Sequence, residues 1–221
     1  MTGADLFADG RFEEAIARRG EACGVRLDAG SAATLATHAR AVLAANARLH
    51  LTTVVEPEEF LERHLGEAFE GAALLRDDSA GIHVDVGSGN GYPALPIALA
   101  RPSLRSYLVE ASKKKAEFLR RTVASCGLDS RVSILPRQIQ RAADLSELGS
   151  LRLLTMRAVG GWSRLVPKLA QALEPDGLAL VWAGVEMESV RTRVAWRRLE
   201  LVKHQPLPEM DRAAIWVFRR N

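Results

Sequence analysis

A glycine-rich turn that follows an apolar run contains the residues with the most specific chemistry. Residues 83–93 read His-Val-Asp-Val-Gly-Ser-Gly-Asn-Gly-Tyr-Pro. Gly87, Gly89 and Gly91 allow the backbone to approach a ligand closely and to adopt conformations that a Cβ atom would forbid. Asp85 precedes the first glycine by two residues, where a carboxylate would repel a pyrophosphate but would suit an ammonium or sulfonium group. The spacing also differs from the Gly-x-Gly-x-x-Gly of dinucleotide-binding turns.

A second acidic side chain, Glu110, follows the next apolar run along the chain. In nucleotide-binding sheets an acid about 20 residues after the turn accepts hydrogen bonds from ribose hydroxyls. Asp85, the alternating glycines and Glu110 together match the nucleoside pocket of S-adenosylmethionine-dependent methyltransferases. Simpler alternatives are that Asp85 caps the turn and that Glu110 caps the helix that begins near Lys113.

The surrounding pattern predicts elements that can hold these residues at one edge of a sheet. Short apolar runs rich in branched residues alternate with helical periodicity from residue 82 onward. The expected strands are 82–86, 106–109, 132–135, 151–156, 178–182, 199–204 and 213–218, and the expected helices are 92–100, 113–126, 163–174 and 187–198. Because no helix separates the last two strands, they should pair antiparallel. We predict an α/β fold with a Rossmann-like, seven-stranded methyltransferase sheet, mostly parallel, with an antiparallel terminal hairpin.

The N-terminal third of the chain has a different period. Apolar residues recur with helical spacing around Phe12 and again around Leu35, and Pro57 followed by acidic residues is typical of a helix start. We therefore expect residues 1–75 to form a helical segment that packs on a methyltransferase domain formed by residues 76–221.

Length and composition suit one globular domain with a small appendage. Of the 221 residues, 48% are hydrophobic and 26% are charged. No apolar run approaches the roughly 20 residues of a membrane span, and the first residues lack the features of a secretory signal, so we expect a cytoplasmic protein with no membrane partner. Cys23 and Cys126 lack the CxxC spacing and the histidines lack metal-binding spacing, which predicts packed thiols and no metal. The sequence leaves the oligomeric state unknown.

Charge is unevenly distributed along the chain. Residues 1–75 contain 7 Lys and Arg against 12 Asp and Glu, whereas residues 76–221 contain 23 against 15. A basic surface attracts a polyanion through counterion release. The candidate phosphate contacts in RNA are Lys113, Lys114, Lys115, Arg120 and Arg121. Such contacts carry no sequence information, and the alternative is that these cations only form the solvated face of a helix.

Several motifs together resemble the RsmG (GidB) family, bacterial enzymes that methylate N7 of a guanine in small-subunit ribosomal RNA. The resemblance covers roughly residues 42–221. It rests on Asn46, His50-Leu51-Thr52, Pro57-Glu58-Glu59, Arg63-His64, residues 85–93, Pro96-Ile97, residues 113–120 and Arg157-Ala158. It implies a class I methyltransferase that uses S-adenosyl-L-methionine as cofactor. The implied partner is 16S ribosomal RNA or the small ribosomal subunit, with guanine 527 as the family's target.

The resemblance also implies where the cofactor contacts fall in this chain. They are Gly87 and Tyr92 in the turn, Ile139 and Gln140 after the third strand, and Arg157 at the end of the fourth strand. Arg157 would orient the substrate or the cofactor. Guanine N7 already carries an accessible lone pair, so in-line methyl transfer needs positioning and no general base. We therefore expect no catalytic acid or base.

Departures from the family pattern mark the chain as a divergent member. The chain has His50-Leu51-Thr52 for Asn-Leu-Thr, Glu67-Ala68 for Asp-Ser, Asn90-Gly91 for Pro-Gly, and Trp182-Ala183-Gly184 for Leu-Lys-Gly. The last of these removes a cation that could face RNA. Two alternatives therefore stay open: a methyltransferase of a small molecule or another RNA, with the acidic N-terminal helices as a lid, and a noncatalytic RNA-binding relative.

Overall fold

A computed structural model describes residues 10–76, 80–207 and 213–221 of the protein. The helices are α1 (Arg11–Ala22), α2 (Ala29–Leu49), α3 (Pro57–Phe60), α4 (Glu67–Ala73), α5 (Ala94–Ala100), α6 (Lys113–Ser125), α7 (Trp162–Leu169) and α8 (Glu186–Val190). A π-helical turn over Leu61–Gly66 joins α3 to α4. The strands are β1 (Gly81–Val86), β2 (Leu104–Val109), β3 (Val132–Leu135), β4 (Leu151–Arg157), β5 (Leu173–Ala183), β6 (Leu199–Pro206) and β7 (Ala214–Arg220). Short 3₁₀ helices lie at Ala142–Leu148, Ala170–Ala172 and Val194–Trp196.

The seven strands form one sheet in the order β3-β2-β1-β4-β5-β7-β6. Strands β1 to β5 are parallel, and β7 is antiparallel to both of its neighbours, β5 and β6. The predicted Rossmann-like sheet with an antiparallel terminal hairpin is therefore confirmed. From β1 the chain first proceeds to β2 and β3 on one side and then crosses to β4 on the other. Ligands of such sheets bind in the crevice at this switch point, beyond the carboxyl ends of β1 and β4.

The largest difference in strand position concerns β5, which begins at Leu173 although the sequence predicted residue 178. The preceding helix α7 correspondingly ends at Leu169, earlier than the predicted residue 174. Pro175 disfavours a helical conformation of the residue before it. A Cβ atom at Gly177 would lie 2.9 Å from the backbone oxygen of Leu151, so this glycine allows β5 to approach β4. The close approach at Gly177 therefore lets β5 start before the predicted residue, and a 3₁₀ turn over Ala170–Ala172 separates it from α7.

The predicted helix over residues 187–198 is wrong in its second half, because α8 ends at Val190. The hydroxyl of Thr192 donates to the backbone oxygen of Ser189, a local bond that competes with helix formation. Arg193 then adopts an extended backbone with φ −68° and ψ 150°. This break lets the buried Trp196 donate from its indole nitrogen to the backbone oxygen of Ser163, 3.1 Å away.

The N-terminal helices cover one face of the sheet. Asp28 caps α2 by accepting from the backbone nitrogen of Ser31 at 2.6 Å, and α3 begins at Pro57 as predicted. One apolar cluster contains Phe12, Leu35, Phe60 and Phe69 from these helices and Leu153, Leu180 and Ile215 from the sheet. The opposite face packs on α7, α8 and Trp196. The division of the chain at residue 75 stays a prediction.

The two cysteines agree with the prediction of packed thiols. Cys23 and Cys126 are free thiols, each half-buried against an apolar cluster. Among the described residues, no helix combines the length and the apolar character that crossing a membrane requires.

Candidate functional site

The turn between β1 and α5 needs glycine at two positions. Gly87 has φ +70°, and a Cβ atom there would lie 2.7 Å from a methyl carbon of Val159. Gly91 has φ +92°, and a Cβ atom there would lie 2.9 Å from Nε2 of His38. Both the backbone conformation and the close packing therefore exclude larger residues. The backbone nitrogens of Gly87 and Ser88 both donate to the backbone oxygen of Val109, which fixes the turn to the end of β2.

Glu110 links this turn to the start of α6. Its Oε2 accepts from the backbone nitrogen of Gly89 at 2.9 Å, and its Oε1 accepts from that of Ser112 at 2.7 Å. The simpler alternative, that Glu110 caps α6, is wrong: the N-cap is Ser112, whose hydroxyl accepts from the backbone nitrogen of Lys115, and Glu110 instead fixes the segment before the helix. Glu110 also lines the cleft described below, and a carboxylate offers about four acceptor sites, so capacity is left for ligand hydroxyls.

Asp85 is more deeply buried than Glu110, and it lies on the face of the sheet that the N-terminal helices cover. Its Oδ1 accepts from Oγ1 of Thr155 at 2.6 Å, whereas its Oδ2 is buried without a hydrogen-bond partner. Burial raises the pKa of this carboxyl to about 6, and the hydroxyls of Ser88 and Thr155 and the nearby Arg157 oppose that rise. An unpartnered buried acceptor is costly, so Asp85 would gain from a donor or a cation next to Oδ2.

A polar network behind Asp85 was not anticipated from the sequence. His83 contacts Oγ of Ser106 through Nδ1 at 3.0 Å and Oγ1 of Thr155 through Nε2 at 2.8 Å. Since Thr155 donates its only hydroxyl proton to Asp85, it accepts from Nε2–H of His83, and Nδ1 accepts from Ser106. The available signal was the alternation of polar His83 and Asp85 with apolar residues in an otherwise buried strand.

Tyr92 stacks between two histidines from the N-terminal helices. The ring centroids lie 4.3 Å from His38 and 5.0 Å from His64, and Phe60 packs edge-on against Tyr92. Nε2–H of His38 donates to the backbone oxygen of Asn90 at 2.7 Å. The N-terminal helical segment thus contacts the glycine turn through ring stacking on Tyr92 and a hydrogen bond to Asn90.

Arg157, at the end of β4, is held by the same helices. Its Nη1 donates to the backbone oxygen of Arg63 at 2.8 Å and to Oε2 of Glu67 at 3.0 Å, and its Nη2 donates to Nδ1 of His64 at 2.6 Å. Because a guanidinium is only a donor, His64 is neutral with its proton on Nε2, which donates to Oγ1 of Thr52. Glu67 is therefore a buried ion-pair partner of Arg157.

A cleft of about 680 Å³ opens at the carboxyl edge of the strands, within the range of small-molecule sites. The predicted residues in its wall are Gly87, Gly89, Tyr92, Glu110, Lys115 and Arg157. Four predicted cofactor residues do not line it, namely Asp85, Gly91, Ile139 and Gln140. Ile139 is buried in the core, and the backbone nitrogen of Gln140 donates to Asp144. Contact of Ile139 and Gln140 with the cofactor stays a prediction.

Four of the five predicted cations on α6 lie on its outer face. Lys113, Lys114, Arg120 and Arg121 are exposed, whereas Lys115 is half-buried at the cleft. Arg120 and Arg121 both pair with Glu117 on the same helix. The two N-terminal lysines are therefore better placed than the two arginines to contact a phosphate.

Trp162 and Glu186 are among the wall residues that sequence reasoning missed. They follow β4 and β5, as Glu110 follows β2, so their position after strand ends was an available signal. Within residues 10–76, 80–207 and 213–221, no three His, Cys, Asp or Glu side chains are grouped as metal ligands.

Buried titratable groups predict a steep loss of stability in mild acid. Burial lowers the pKa of His38 to about 4, of His64 to about 2 and of His83 to about 3. Below pH 6.5 the unfolded chain protonates these histidines while the native state does not, so acid favours unfolding. Asp85, with its raised pKa of about 6, acts in the opposite sense and offsets one proton, and the raised pKa of Glu67 adds to this offset.

We expect a net difference of about one to two protons near pH 5, or roughly 1.5–3 kcal/mol per pH unit in the free energy of unfolding. Urea titrations between pH 7.5 and 5 measure this slope. His83→Gln should reduce the slope by about one proton, and an unchanged slope would contradict the assignment of His83 as buried and neutral.

Comparisons with known proteins identify the family to which this chain is similar. The family model GidB, described as rRNA small subunit methyltransferase G, matches residues 31–207. Ribosomal RNA small subunit methyltransferase G of Sorangium cellulosum is 36% identical over 184 residues, covering 83% of this chain and 77% of that protein. The protein of the same name from Synechococcus elongatus is 32% identical over 144 residues, covering 65% of this chain and 60% of that protein.

A structure of M. capricolum TrmK in complex with S-adenosyl-homocysteine shares the fold, with a TM-score of 0.56 and 14% identity over 70% of this chain and 67% of that one. The resemblance in the motifs is thus confirmed by the match to the family model and to these relatives. The chain belongs to the GidB family, the rRNA small subunit methyltransferases G.

Proposed function

We propose that this protein transfers the methyl group of S-adenosyl-L-methionine to N7 of a guanine in 16S ribosomal RNA. The observation that carries the proposal is that the alternating-glycine turn and Glu110 open into one cleft in a chain of this family. The family name supports small-subunit ribosomal RNA as substrate. The cytoplasm as the place of action stays a prediction.

The described residues fit the cofactor at three places. Glu110 retains acceptor capacity for ribose hydroxyls, and Gly87 leaves space that a side chain would fill. Asp85 does not line the cleft, but its buried Oδ2 has no hydrogen-bond partner, so a donor or a positive charge of a ligand next to it would complete its interactions. When bound, the cofactor supplies an electrophilic methyl group, and the chain supplies its orientation.

The reaction at N7 requires alignment of the acceptor more than proton transfer. The N7 lone pair attacks the methyl carbon, the bond from this carbon to sulfur breaks, and the purine gains a positive charge without losing a proton. Catalysis then comes mainly from holding the two reactants in line. The rigid links from Arg157 to Arg63, His64 and Glu67 hold the cleft wall for this purpose.

The direct test is methyl transfer in vitro, followed by nucleoside analysis. Small-subunit RNA from cells that lack this protein should accept labelled methyl groups from the cofactor, and digestion should release labelled N7-methylguanosine. Label in another nucleoside would contradict N7 of guanine as the target. RNA binding without any consumption of cofactor would instead indicate a noncatalytic RNA-binding protein.

RNA binding should depend on the exposed lysines at the start of α6. We expect Lys113→Glu with Lys114→Glu to remove most of the RNA affinity. The log–log slope of affinity against salt should also fall by about one unit for each phosphate that the variant no longer binds. Lys115 is left unchanged because it lines the cofactor cleft. Fluorescence anisotropy at several salt concentrations measures both quantities.

A matched control reverses two exposed cations elsewhere, with Arg197→Glu and Arg198→Glu just before β6. The cleft lies at the edge of the sheet where β5 ends, next to the last residue of β6. Arg197 and Arg198 precede the first residue of β6, so they lie at the opposite edge of the sheet. Equal loss of affinity in both double variants would indicate a nonspecific charge effect and contradict a role of α6.

A further inference from the structure

The sheet topology divides the cleft between two reactants. The glycine turn after β1 and Glu110 after β2 lie on one side of the switch point, toward β3. On the other side, the loops after β4 and β5 contribute Val159, Trp162 and Glu186 to the same cleft. A cofactor bound by the turn and Glu110 therefore leaves the β4–β5 side for the methyl acceptor.

Glu186 has a carboxylate that the fold directs into this second half. It lies in the first turn of α8, and its Oε1 accepts from the backbone nitrogen of Gly184 at 3.1 Å. A Cβ atom at Gly184 would lie 2.5 Å from Oε2 of Glu186, so the glycine makes room for the carboxylate to fold back over the end of β5. The hydrogen bond from Gly184 holds the carboxylate in this orientation.

The other two carboxylates in the cleft wall already have strong partners. Glu67 is paired with Arg157, and Glu110 accepts from two backbone nitrogens. In the described part of the chain, Glu186 forms no ion pair, and only its Oε1 has a hydrogen bond, to Gly184. An exposed carboxylate with this remaining acceptor capacity can receive donors from a ligand.

The chemistry of guanine fits such a carboxylate. Guanine presents two adjacent donors on its Watson–Crick edge, N1–H and the N2 amino group, whereas adenine presents an acceptor at N1. Two carboxylate oxygens can receive both guanine donors at once. Because the N2 amino group lies across the purine from N7, a base with N7 toward the cofactor places this amino group away from it, toward the β5 side of the cleft.

Trp162 supplies a surface for the same base. It is half-buried in the cleft wall, and its ring packs edge-on against Trp196 with centroids 6.2 Å apart. Extruded bases are commonly held by aromatic stacking together with hydrogen bonds to the Watson–Crick edge. Stacking accepts any base, so the choice of guanine must come from a polar group.

We propose that Glu186 is the residue that selects guanine, by accepting hydrogen bonds from N1–H and the N2 amino group of the extruded base. This inference rests on the proposed function and identifies the residue that recognises the target base. It predicts that the enzyme discriminates against inosine, which keeps N7 and N1–H but lacks the N2 amino group.

The test compares 16S RNA assembled by ligation with either guanosine or inosine at the target position. For the wild-type protein, kcat/KM should be roughly tenfold or more higher on guanosine, the effect of one lost hydrogen bond to a charged group. Glu186→Gln should reduce kcat/KM on guanosine by a similar factor and bring the guanosine-to-inosine ratio close to one. Glu186→Asp, which retains the carboxylate, should keep a ratio between these two values.

The matched control is Glu188→Gln on the same short helix. Glu188 is exposed, is paired with Arg191 and does not line the cleft, so the wild-type ratio should be retained. If the wild-type protein forms no N7-methylguanosine on the guanosine RNA, the proposed function is overturned and this inference with it. If it forms N7-methylguanosine but Glu186→Gln keeps the wild-type ratio, only the role of Glu186 is overturned.

Discussion

Gly87→Val should lower the affinity for S-adenosyl-L-methionine by roughly 100-fold or more, since each loss of about 1.4 kcal/mol in binding free energy is a factor of ten. The substitution combines two effects. At φ +70° a side chain strains the backbone, and the added Cβ meets Val159 at 2.7 Å, which must displace the wall of the cleft. Isothermal titration calorimetry with the cofactor product, S-adenosyl-homocysteine, measures the loss.

The control for this prediction is Gly160→Val. Gly160 lies in the loop between β4 and α7, has no positive φ, and a Cβ atom there would have no neighbour within 4 Å. This variant should bind the cofactor as the wild-type protein does. Affinity retained in Gly87→Val would mean that the cofactor does not approach this turn.

A second variant separates folding from binding. Gly87→Ala combined with Val159→Ala removes the methyl groups that the new Cβ would meet, although the strain of the positive φ persists. Stability should recover in this double variant relative to Gly87→Ala. If the cofactor needs the bare backbone at residue 87, affinity should stay low while stability recovers.

The order of elements in the sheet was predictable because it depends on local patterns. The alternation of strands and helices, the glycine turn after β1 and the antiparallel terminal strands are all visible in short windows of sequence. Element ends were less predictable where tertiary contacts decide. The indole of Trp196 binds the backbone of Ser163, more than 30 residues away, and this contact accompanies the early end of α8.

The residues of the cleft wall were predictable only in part, because some of them are positioned by tertiary contacts between distant parts of the chain. Glu110 and Gly87 belong to a contiguous motif, so their place in the cleft followed from the motif. The contacts of Arg157 depend on a π-helical turn and on helices almost 100 residues earlier in the chain, and no local pattern reports such a pairing. The motif resemblance indicated the importance of Arg157, but only the structure identifies Glu67 and His64 as the side chains that it binds.

The contacts of Arg157 predict the second large effect, a loss of stability when this residue is replaced. Arg157→Met should lower the free energy of unfolding by about 3–5 kcal/mol, because it leaves the charge of Glu67 buried without a partner. Burial already raises the pKa of Glu67, and the Arg157 guanidinium opposes that rise. The carboxyl of Glu67 should therefore take up a proton more readily in the variant, and the loss of stability should be smaller at low pH.

Arg157→Met combined with Glu67→Met tests whether the ion pair or the guanidinium itself matters. Replacing both members of a buried pair by apolar residues is often close to neutral, so much of the stability should return. The recovery should be incomplete, because the backbone oxygen of Arg63 and Nδ1 of His64 still lack their donor. Denaturant titrations of the wild type, both single variants and the double variant yield the coupling energy.

Methyl transfer should not recover together with stability in this double variant. Arg157 bonds to three groups of the N-terminal helices at once, and neither Met nor a flexible Lys reproduces a planar, three-way donor. Without it, the segment containing Arg63 and His64 loses its link to the end of β4, and the wall between cofactor and acceptor is no longer held in one position. Wild-type turnover in a stable Arg157→Met, Glu67→Met protein would show that Arg157 serves stability alone. Low turnover at restored stability would show that the N-terminal helices complete the reaction site.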